Sequence, residues 1–391
     1  FFLGSSGPFR GAAAAVAAAT AQSLRSQSVK TRPIAERIEW LFALADAHTT
    51  EYAGPEAWLA RKRYHAEHPT AILVLKCMDG RINIPVATNT PAGIIQPFRN
   101  LGGMFNLGWP HLGETLVEAV GRCVAQGRQA LVVITYHFSK GSPHRGCAGF
   151  GYDTAAARRH TFQIRQQVEH VFGAGHATVF PLVCGFETDE DALILHADTD
   201  LDGGGPLLDL SALLDENDER GALDALGARL AGHLPRMPAG MRADLLPLLR
   251  GNVAHIAAVR RASRAAARPL DVEHCEWIMC LGRGFDWLHV PNVALIIGPY
   301  SPDLADPIRK AASIIQSNMR EGRIPDDGFL VLSSAPYHDI GVDRARAILK
   351  AGFMRDFAAD VIRKEFPELA TKMNLRTTVL SWESRTVEHL D

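Results

Sequence analysis

The sequence predicts an α/β fold of mostly parallel sheets flanked by helices, with an internal duplication and a helical N-terminal arm. From residue 71 onward, short apolar runs typical of strands alternate with segments of helical periodicity, a pattern that favours parallel sheets. The same order of elements returns after residue 274. The 391 residues allow two or three domains. We expect an arm over 1–68, a first α/β domain over 69–215 and a second over 216–391.

The N-terminal arm is predicted to be helical. Residues 11–21 are almost all alanine, and residues 34–66 place Ile38, Leu41 and Ala45 on one helical face. Acidic residues are absent before position 36, whereas basic residues stand among serines and alanines. This composition is typical of organelle transit peptides and fits a trimmed chain equally well.

The first α/β unit is predicted from its pattern of apolar residues. Strands are expected at 71–77, 129–137, 177–187 and 192–198, and helices at 113–127 and 153–175. Asp153 is a suitable N-cap, because its carboxylate can accept hydrogen bonds from the first turn of a helix. In the first helix we expect one buried stripe, formed by Leu116, Val117, Val120 and Val124.

The segment 274–340 repeats this order of elements. Cys280 and His338 are 58 positions apart, and Cys77 and His137 are 60 positions apart, with a helix predicted between the members of each pair. The second copy lacks the carboxylate that follows Cys77 by two positions, and it has no cysteine after His338. We therefore expect a duplicated unit whose second copy has lost its chemistry.

Composition excludes several classes of protein. The 41 basic and 43 acidic residues give a net charge of −2, so neither nucleic acid nor an anionic membrane is an expected partner. No apolar stretch approaches the ~20 residues of a membrane-spanning helix. Six scattered cysteines indicate a reducing compartment rather than a disulfide scaffold, and the expected location is the cytoplasm.

Two charged segments have alternative interpretations. The acidic residues of 198–209 imitate the spacing of a calcium loop, but Asp209 stands where such loops carry Glu. A solvated acidic loop is therefore the preferred interpretation. The basic end of the region 221–268, which is predicted to be helical, is expected to be a solvated or interface helix.

Side chains that could take part in catalysis or metal binding follow the first strand. Cys77, Asp79 and Arg81 alternate along the chain, so they would point the same way if the chain stayed extended. The carboxyl ends of parallel strands are where such sheets carry their sites. The alternative is a buried cysteine beside a surface ion pair.

A metal site is predicted from two further residues. His137 ends the next strand, and Cys147 lies in a turn of small residues after it. Two thiolates and one imidazole suit Zn²⁺, and three protein ligands leave a fourth position open, as in catalytic zinc sites. The alternative is a strand-end histidine with two buried thiols. His144 competes as the ligand because it stands three positions before Cys147, but we prefer His137, which the strand end fixes.

The remaining cysteines do not predict a second functional site. His274, Cys275 and Cys280 could hold a second metal, but with no fourth ligand nearby we expect packing thiols. A redox protein that uses Cys77 and Cys147 is disfavoured because the chain has no C-x-x-C spacing.

The first-copy residues resemble the β-class carbonic anhydrases. The segment Cys77-Met78-Asp79-Gly80-Arg81 matches the Cys-x-Asp-x-Arg motif of that family, and residues 99–103 (Arg-Asn-Leu-Gly-Gly) match its Arg-Asn-x-Gly stretch. Ten positions separate His137 from Cys147, whereas the ordinary family has His-x-x-Cys. This longer loop, the helical N-terminal part and the degenerate second copy are similar to the carboxysome-shell branch, in which one chain holds a working and a defunct unit.

The resemblance implies Zn²⁺ held by Cys77, His137 and Cys147, and reversible hydration of CO₂ to bicarbonate by a zinc-hydroxide nucleophile. Asp79 would orient the hydroxide, and Arg81 would hold Asp79 through a bidentate pair, so that the two residues gate the open site. The resemblance also implies a homo-oligomer, a dimer or larger, and a larger assembly through the N-terminal arm. Its location would be a carboxysome or an organelle. Ser139 and Gly102-Gly103 are expected to line the pocket.

Two other functions stay open on the sequence alone. The same site could hydrolyse carbon disulfide or carbonyl sulfide, or the chain could be a catalytically inactive, zinc-stabilised assembly protein. The intact set of ligands and gate residues in the first copy favours an enzyme.

Overall fold

The computed structural model of the protein describes residues 29–173, 178–266 and 273–390. The alanine-rich helix predicted at 11–21 lies outside these residues. The helical prediction for 34–66 is confirmed as two helices, α1 (Ile34–Ala53) and α2 (Pro55–Glu67). Pro55 occupies the first turn of α2, where its missing N–H leaves no hydrogen bond unmade.

The first unit is built on a six-stranded sheet in the order β2-β1-β3-β4-β5-β6. The first four strands are parallel, and β5 and β6 are antiparallel to their neighbours. The strands are β1 (Ala71–Cys77), β2 (Ile95–Asn100), β3 (Ala130–Phe138), β4 (Val179–Glu187), β5 (Ala192–His196) and β6 (Leu207–Asp209).

The helices of this unit are α3 (Ile84–Ala87), α4 (Pro110–Ala125), α5 (Thr154–Phe172) and α6 (Leu210–Glu216). Short 3₁₀ turns lie at Leu101–Gly103, Pro143–Arg145 and Ala148–Phe150. The predicted cap of α5 is confirmed, since the carboxylate of Asp153 accepts a hydrogen bond of 2.9 Å from the backbone N–H of Ala156.

The predicted buried stripe of α4 is half wrong. Leu116 and Val120 are buried, but the side chains of Val117 and Val124 are 48% and 42% exposed. The buried face runs through Leu112 instead, and it includes Thr115 and Ala119. The helix is thus turned so that its small and polar residues also enter the core.

The second unit begins with two long helices, α7 (Glu219–His233) and α8 (Ala239–Ala266). Its sheet has five strands in the order β11-β10-β9-β7-β8. The strands are β7 (Ile278–Gly282), β8 (Ala294–Ile297), β9 (Phe329–Tyr337), β10 (Met373–Ser381) and β11 (Val387–His389), and the later helices are α9 (Ala305–Arg320), α10 (Val342–Glu365) and α11 (Pro367–Ala370).

The internal duplication is confirmed by the topology of the two sheets. Strands β8, β7, β9 and β10 are parallel and stand in the same order as β2, β1, β3 and β4. Each parallel set is followed by an antiparallel strand, β5 in the first sheet and β11 in the second. The α/β class and the mostly parallel sheets are therefore as the sequence predicts.

The expected equivalence between Cys280 of the second copy and Cys77 of the first is wrong, because the two residues occupy different positions along their strands. Cys77 is the last residue of β1, whereas Cys280 lies inside β7 and is fully buried, and the last residue of that strand is Gly282. His338 follows β9 on the surface, with its ring centroid 5.8 Å from that of Trp382. Within its described residues, the second unit therefore brings no thiol and imidazole together at its strand ends.

The two units share one hydrophobic core and are hydrogen-bonded through their backbones. The N–H of Asn292 donates to the carbonyl of Gly80 at 2.7 Å, and that of Ile296 donates to the carbonyl of Met78 at 3.0 Å. Helix α8 packs on the first sheet, where the side chain of Asn252 accepts a hydrogen bond from the N–H of Leu193 at 2.9 Å. The domain boundary between residues 215 and 216 stays a prediction.

The acidic segment is more buried than predicted. Asp198 and Asp200 are 2% and 6% exposed. The Asp198 carboxylate accepts hydrogen bonds from the N–H groups of Arg236 and Met237, and that of Asp200 contacts the His196 ring at 3.1 Å. These carboxylates hold the loop in place through hydrogen bonds.

The basic end of α8 lies at an interface, in agreement with one of its predicted interpretations. Arg260 makes ion pairs with Glu190 and Asp215 at 2.8 and 2.9 Å. Across the described ranges, no helix has both the length and the apolar character needed to cross a bilayer.

We predict that Asp327→Ala destabilises the protein, because Asp327 pairs with the fully buried Arg37 and so ties α1 to the second unit. The guanidinium of Arg37 lies 5.0 Å from the ring centroid of Trp277 and would keep a buried, unpaired charge. The expected loss is about 2–3 kcal/mol, less than for a fully buried pair because Asp327 is partly exposed. Urea denaturation measures it.

The matched control is Asp326→Ala, which breaks an exposed ion pair with Lys372. It should cost less than about 1 kcal/mol. Equal losses in the two variants would contradict the role assigned to Asp327.

Candidate metal centre

Three predicted ligands converge at the carboxyl edge of the first sheet. The ligand atoms of Cys77, His137 and Cys147 all lie within 4.8 Å of one another. Cys77 ends β1, His137 lies at the end of the neighbouring β3, and Cys147 follows on a loop. The three residues are 5%, 1% and 2% exposed. The structure therefore brings together the residues that the sequence selected.

The chemistry of this donor set fits a bound metal ion. Neither ring nitrogen of His137 has a hydrogen-bond partner among the described residues, although both are buried. A buried polar atom without a partner is costly, and coordination to a metal ion would remove that cost. The contact with Cys147 and burial raise the pKa of the Cys77 thiol well above its usual value, while the same contact lowers the pKa of Cys147. Two thiols and an imidazole suit zinc.

Cys147 lies on a loop that backbone hydrogen bonds hold in place. Its carbonyl accepts hydrogen bonds from the N–H groups of Phe150 and Tyr152 at 3.1 and 2.9 Å. The backbone N–H groups of Gly149 and Phe150 also point at its sulfur and lower its pKa further. Such donors favour a thiolate, which is the form that binds metal.

Ser139 supports this loop rather than the ligand cluster directly. Its hydroxyl donates to the carboxylate of Asp189 at 2.8 Å, and Asp189 also accepts from the N–H of Gly141 at 2.6 Å. The expectation that Ser139 lines the pocket stays a prediction.

His144, the competing ligand, lies in the 3₁₀ turn Pro143–Arg145 on the surface. Its ring centroid is 5.5 Å from that of Tyr152. It is outside the ligand cluster, which contains His137 instead.

The chain turns immediately after Cys77, so the expected extended alternation of Cys77, Asp79 and Arg81 is wrong. Asp79 and Arg81 nevertheless meet inside the turn. The Oδ1 atom of Asp79 accepts from the backbone N–H and the Nε–H of Arg81 at 2.9 and 3.1 Å, and Oδ2 accepts from Nη2 at 2.7 Å. Lys76 donates to the carbonyl of Ile82 and closes the turn from behind.

The Asp79 carboxylate is held ionised within this turn. Burial is the largest single effect and would raise its pKa, but the charges of Arg81 and His274 and the hydrogen bonds from Arg81 together outweigh it, so the pKa lies well below its usual value. Its Oδ2 atom is 3.9 Å from Nε2 of His137. Asp79 is therefore a charged hydrogen-bond acceptor at the edge of the ligand cluster.

The second unit supplies two residues to this centre that sequence reasoning did not assign to it. The Nε2 atom of His274 is 3.9 Å from Oδ2 of Asp79, and its Nδ1 is 2.9 Å from Oε2 of Glu276. Glu276 also accepts a hydrogen bond from the N–H of Gly80 at 3.2 Å. Burial would lower the pKa of His274, but Glu276 and Asp79 raise it.

Only the fold could reveal these two residues. Glu276 lies 196 positions from the glycine whose N–H it accepts, and no local pattern connects the two. Cys275 and Cys280, which stand beside them in the sequence, are buried, and Cys275 contacts the carbonyl of Asn292 at 3.3 Å. Both thiols pack in the core, as expected.

The glycines of the segment 99–103 allow close approach to Cys77. Gly103 has φ of +65°, and a Cβ there would lie 3.1 Å from the carbonyl oxygen of Thr135 and 3.4 Å from the nitrogen of Cys77. Gly102 also has a positive φ, of +67°. A side chain at either position would be strained and would crowd the strand that carries the ligand.

The fold and the ligand cluster define a duplicated α/β protein with a candidate metal centre at one sheet edge. Residues 59–211 match the family described as carboxysome shell carbonic anhydrase, catalytic domain. The predicted relationship to the carboxysome-shell branch is thereby confirmed for this segment. The matched segment includes every predicted ligand and gate residue, but not His274 or Glu276. The chain has no match among curated proteins.

We predict that Gly80→Ala disturbs the centre by separating the two units. An added Cβ would lie 2.6 Å from the carbonyl oxygen of Ala294 and 2.9 Å from Cγ of Glu276. Overpacking of this kind costs about 1–3 kcal/mol. Thermal unfolding and zinc content together measure the effect.

Gly227→Ala is the matched control, because it lies inside α7 and an added Cβ there meets no atom within 4 Å. This change should stabilise the protein by about 0.5–1 kcal/mol. A Gly80→Ala protein as stable and as zinc-loaded as the wild type would show that the units do not meet tightly at Gly80.

Proposed function

We propose that the protein is a zinc-dependent carbonic anhydrase that hydrates CO₂ reversibly to bicarbonate. The observation that carries the proposal is the convergence of two thiols and one imidazole within 4.8 Å, inside the segment that matches a carbonic anhydrase catalytic domain. Cys77, His137 and Cys147 would hold the zinc ion. When bound, zinc supplies hydroxide at neutral pH by lowering the pKa of its bound water to about 7.

Asp79 is the residue that would orient the attacking group. Its Oδ1 atom already accepts two hydrogen bonds from Arg81, whereas Oδ2 accepts one and faces His137. Oδ2 therefore has a lone pair free to accept a proton donor at the metal centre. Since the pKa of Asp79 is well below its usual value, the carboxylate keeps this acceptor role at neutral pH.

Arg81 is the residue that would hold Asp79 in this position. Its bidentate contact fixes the carboxylate in one orientation and keeps it from turning toward the metal. Release of that contact would let Asp79 compete for the open coordination position. The pair therefore acts as a gate in this proposal.

The surrounding assembly is a separate proposal. We propose a homo-oligomer, a division of the chain at 68/69 and 215/216, and attachment to a larger assembly through the N-terminal arm. The matched family favours a carboxysome as the location. Hydrolysis of carbon disulfide or carbonyl sulfide on the same centre, and a purely structural role for zinc, are the alternatives.

Stopped-flow CO₂ hydration, with carbon disulfide and carbonyl sulfide as parallel substrates, decides between these functions. A zinc-loaded protein that hydrates CO₂ and leaves the sulfur compounds unchanged supports the proposal. A zinc-loaded protein inactive on all three would support the structural role.

We predict that Cys147→Ser and His137→Ala each lower the zinc content from one ion per chain to a small fraction, with loss of activity. Each variant removes one of three ligands, and three are needed to hold the ion with an open position. Elemental analysis of the purified variants measures the metal.

The controls are Cys123→Ser, which changes a half-buried thiol on α4, and His144→Ala, which removes the competing histidine. Both should keep full zinc. If His144→Ala loses zinc and His137→Ala keeps it, the zinc ligand is His144 and not His137.

We predict that Asp79→Ala keeps zinc but lowers kcat for CO₂ hydration by at least about 100-fold, the usual contribution of a positioned proton acceptor. Because Arg81 would be left buried and unpaired, the double variant Asp79→Ala/Arg81→Met tests whether lost activity is merely lost stability. It should be as inactive as the single variant and more stable. Wild-type kcat in Asp79→Ala would refute the role of this carboxylate.

A further inference from the structure

The segment between the candidate ligands His137 and Cys147 is a loop, residues 139–147, which we call the ligand loop. Ten positions separate the two ligands. A backbone hydrogen bond inside the loop is local, since the N–H of Arg145 donates to the carbonyl of Ser142 at 3.0 Å. Such a bond shapes a turn but does not fix where the loop lies relative to the sheet.

The carboxylate of Asp189 contacts both ends of the ligand loop. Near the start of the loop, Oδ1 accepts from the hydroxyl of Ser139 at 2.8 Å, and Oδ2 accepts from the N–H of Gly141 at 2.6 Å. Near the end of the loop, Nη1 of Arg145 lies 3.8 Å from Oδ1, within the distance of an ion pair. One side chain from outside the loop therefore joins its two ends.

Glu187 fixes Asp189 and the start of the ligand loop on the sheet. It is the last residue of β4 and is fully buried. Its Oε1 atom accepts from the N–H of Asp189 at 3.0 Å and from the N–H of Lys140 at 3.1 Å. Between them in the chain, the N–H of Thr188 donates to the carbonyl of Phe138 at 2.9 Å. The turn after β4 is thereby attached to the sheet at the residue next to His137.

This support matters most for Cys147, because the other two candidate ligands lie on strands. When the ligand loop moves away, two ligands remain, which are fewer than a catalytic zinc site has. We propose that Asp189 is a positioning residue that keeps Cys147 at the metal centre and so slows the release of the metal. The inference rests on the proposed zinc centre, but it does not require that the centre be active.

Release of zinc from the loaded protein into an excess of a chromogenic chelator tests the proposal. Asp189→Ala should release zinc at least about tenfold faster than the wild type, as is typical when the support around a ligand is lost. Asp189→Asn keeps an oxygen that can accept from Ser139 or Gly141 but loses the charge that faces Arg145. It should therefore restore part of the retention.

Alkylation of the two thiols separates movement of the loop from a general loss of structure. Iodoacetamide is added to the zinc-loaded protein with zinc in excess, and the modified peptides are quantified by mass spectrometry. Asp189→Ala should speed the alkylation of Cys147 in the same proportion as the release of zinc. The alkylation of Cys77, which lies on β1, should change little, whereas unfolding would expose both thiols alike.

The matched control for the asparagine variant is Asp191→Asn. It lies on the same turn, but its carboxylate contacts Nε2 of His255 on α8 at 3.0 Å. Asn also accepts the positive φ of this position, +56°. A second control is Asp327→Ala, which is expected to destabilise the protein through α1. Both controls should release zinc as slowly as the wild type.

The proposal is overturned if Asp189→Ala releases zinc at the wild-type rate, or if either control releases it as fast as Asp189→Ala does. Equal acceleration of alkylation at Cys77 and Cys147 would overturn it as well, because the variant would then have lost structure generally. A wild-type protein that holds zinc without hydrating CO₂ refutes the proposed function alone, since neither zinc release nor alkylation depends on catalysis.

Discussion

The candidate metal centre depends on the packing of the turn at residues 78–82 against the second unit. Asp79 and Arg81 are 6% and 5% exposed, and an ion pair so far from water is stable only when its other polar groups are also satisfied. The second unit satisfies the backbone between the two residues, since Glu276 accepts from the N–H of Gly80 and the N–H of Asn292 donates to the carbonyl of Gly80. The burial that strengthens the Asp79–Arg81 attraction is thus created by the contact between the units.

This contact gives the degenerate copy a physical role without a metal site of its own. His274 and Glu276 add one imidazole and one carboxylate beside Asp79 and Arg81. With His274 protonated, the four groups carry two positive and two negative charges, which agrees with the raised pKa of His274. A first unit alone would expose Asp79 to water, and its carboxylate would then be less firmly held. The second unit therefore acts as a wall of the centre.

The sequence was sufficient for the strand ends and for the ligand cluster, because both depend on local patterns. Apolar runs located β1, β3 and β4, and residue chemistry at their ends selected Cys77, His137 and Cys147. Strand β2 was missed since Gln96, Pro97 and Arg99 interrupt its apolar pattern. His274 and Glu276 could not be assigned, because their position follows from how the two sheets pack. The burial of Asp198 and Asp200 was missed for the same reason.

The register of the second sheet places an arginine where the first unit has its first candidate thiol ligand. The first strand of this sheet ends at Gly282, and the pairing of β7 with β9 makes the next residue, Arg283, the counterpart of Cys77. Gly282 has φ of +111°, and a Cβ there would lie 1.9 Å from the carbonyl oxygen of Ser334. A side chain at this position would require the backbone of both strands to move, so the last residue of β7 is restricted to glycine. The next residue, Arg283, instead places a cation at that edge. Two copies of one topology thus present different chemistry at corresponding edges, the thiols of the candidate metal centre in one and an arginine in the other.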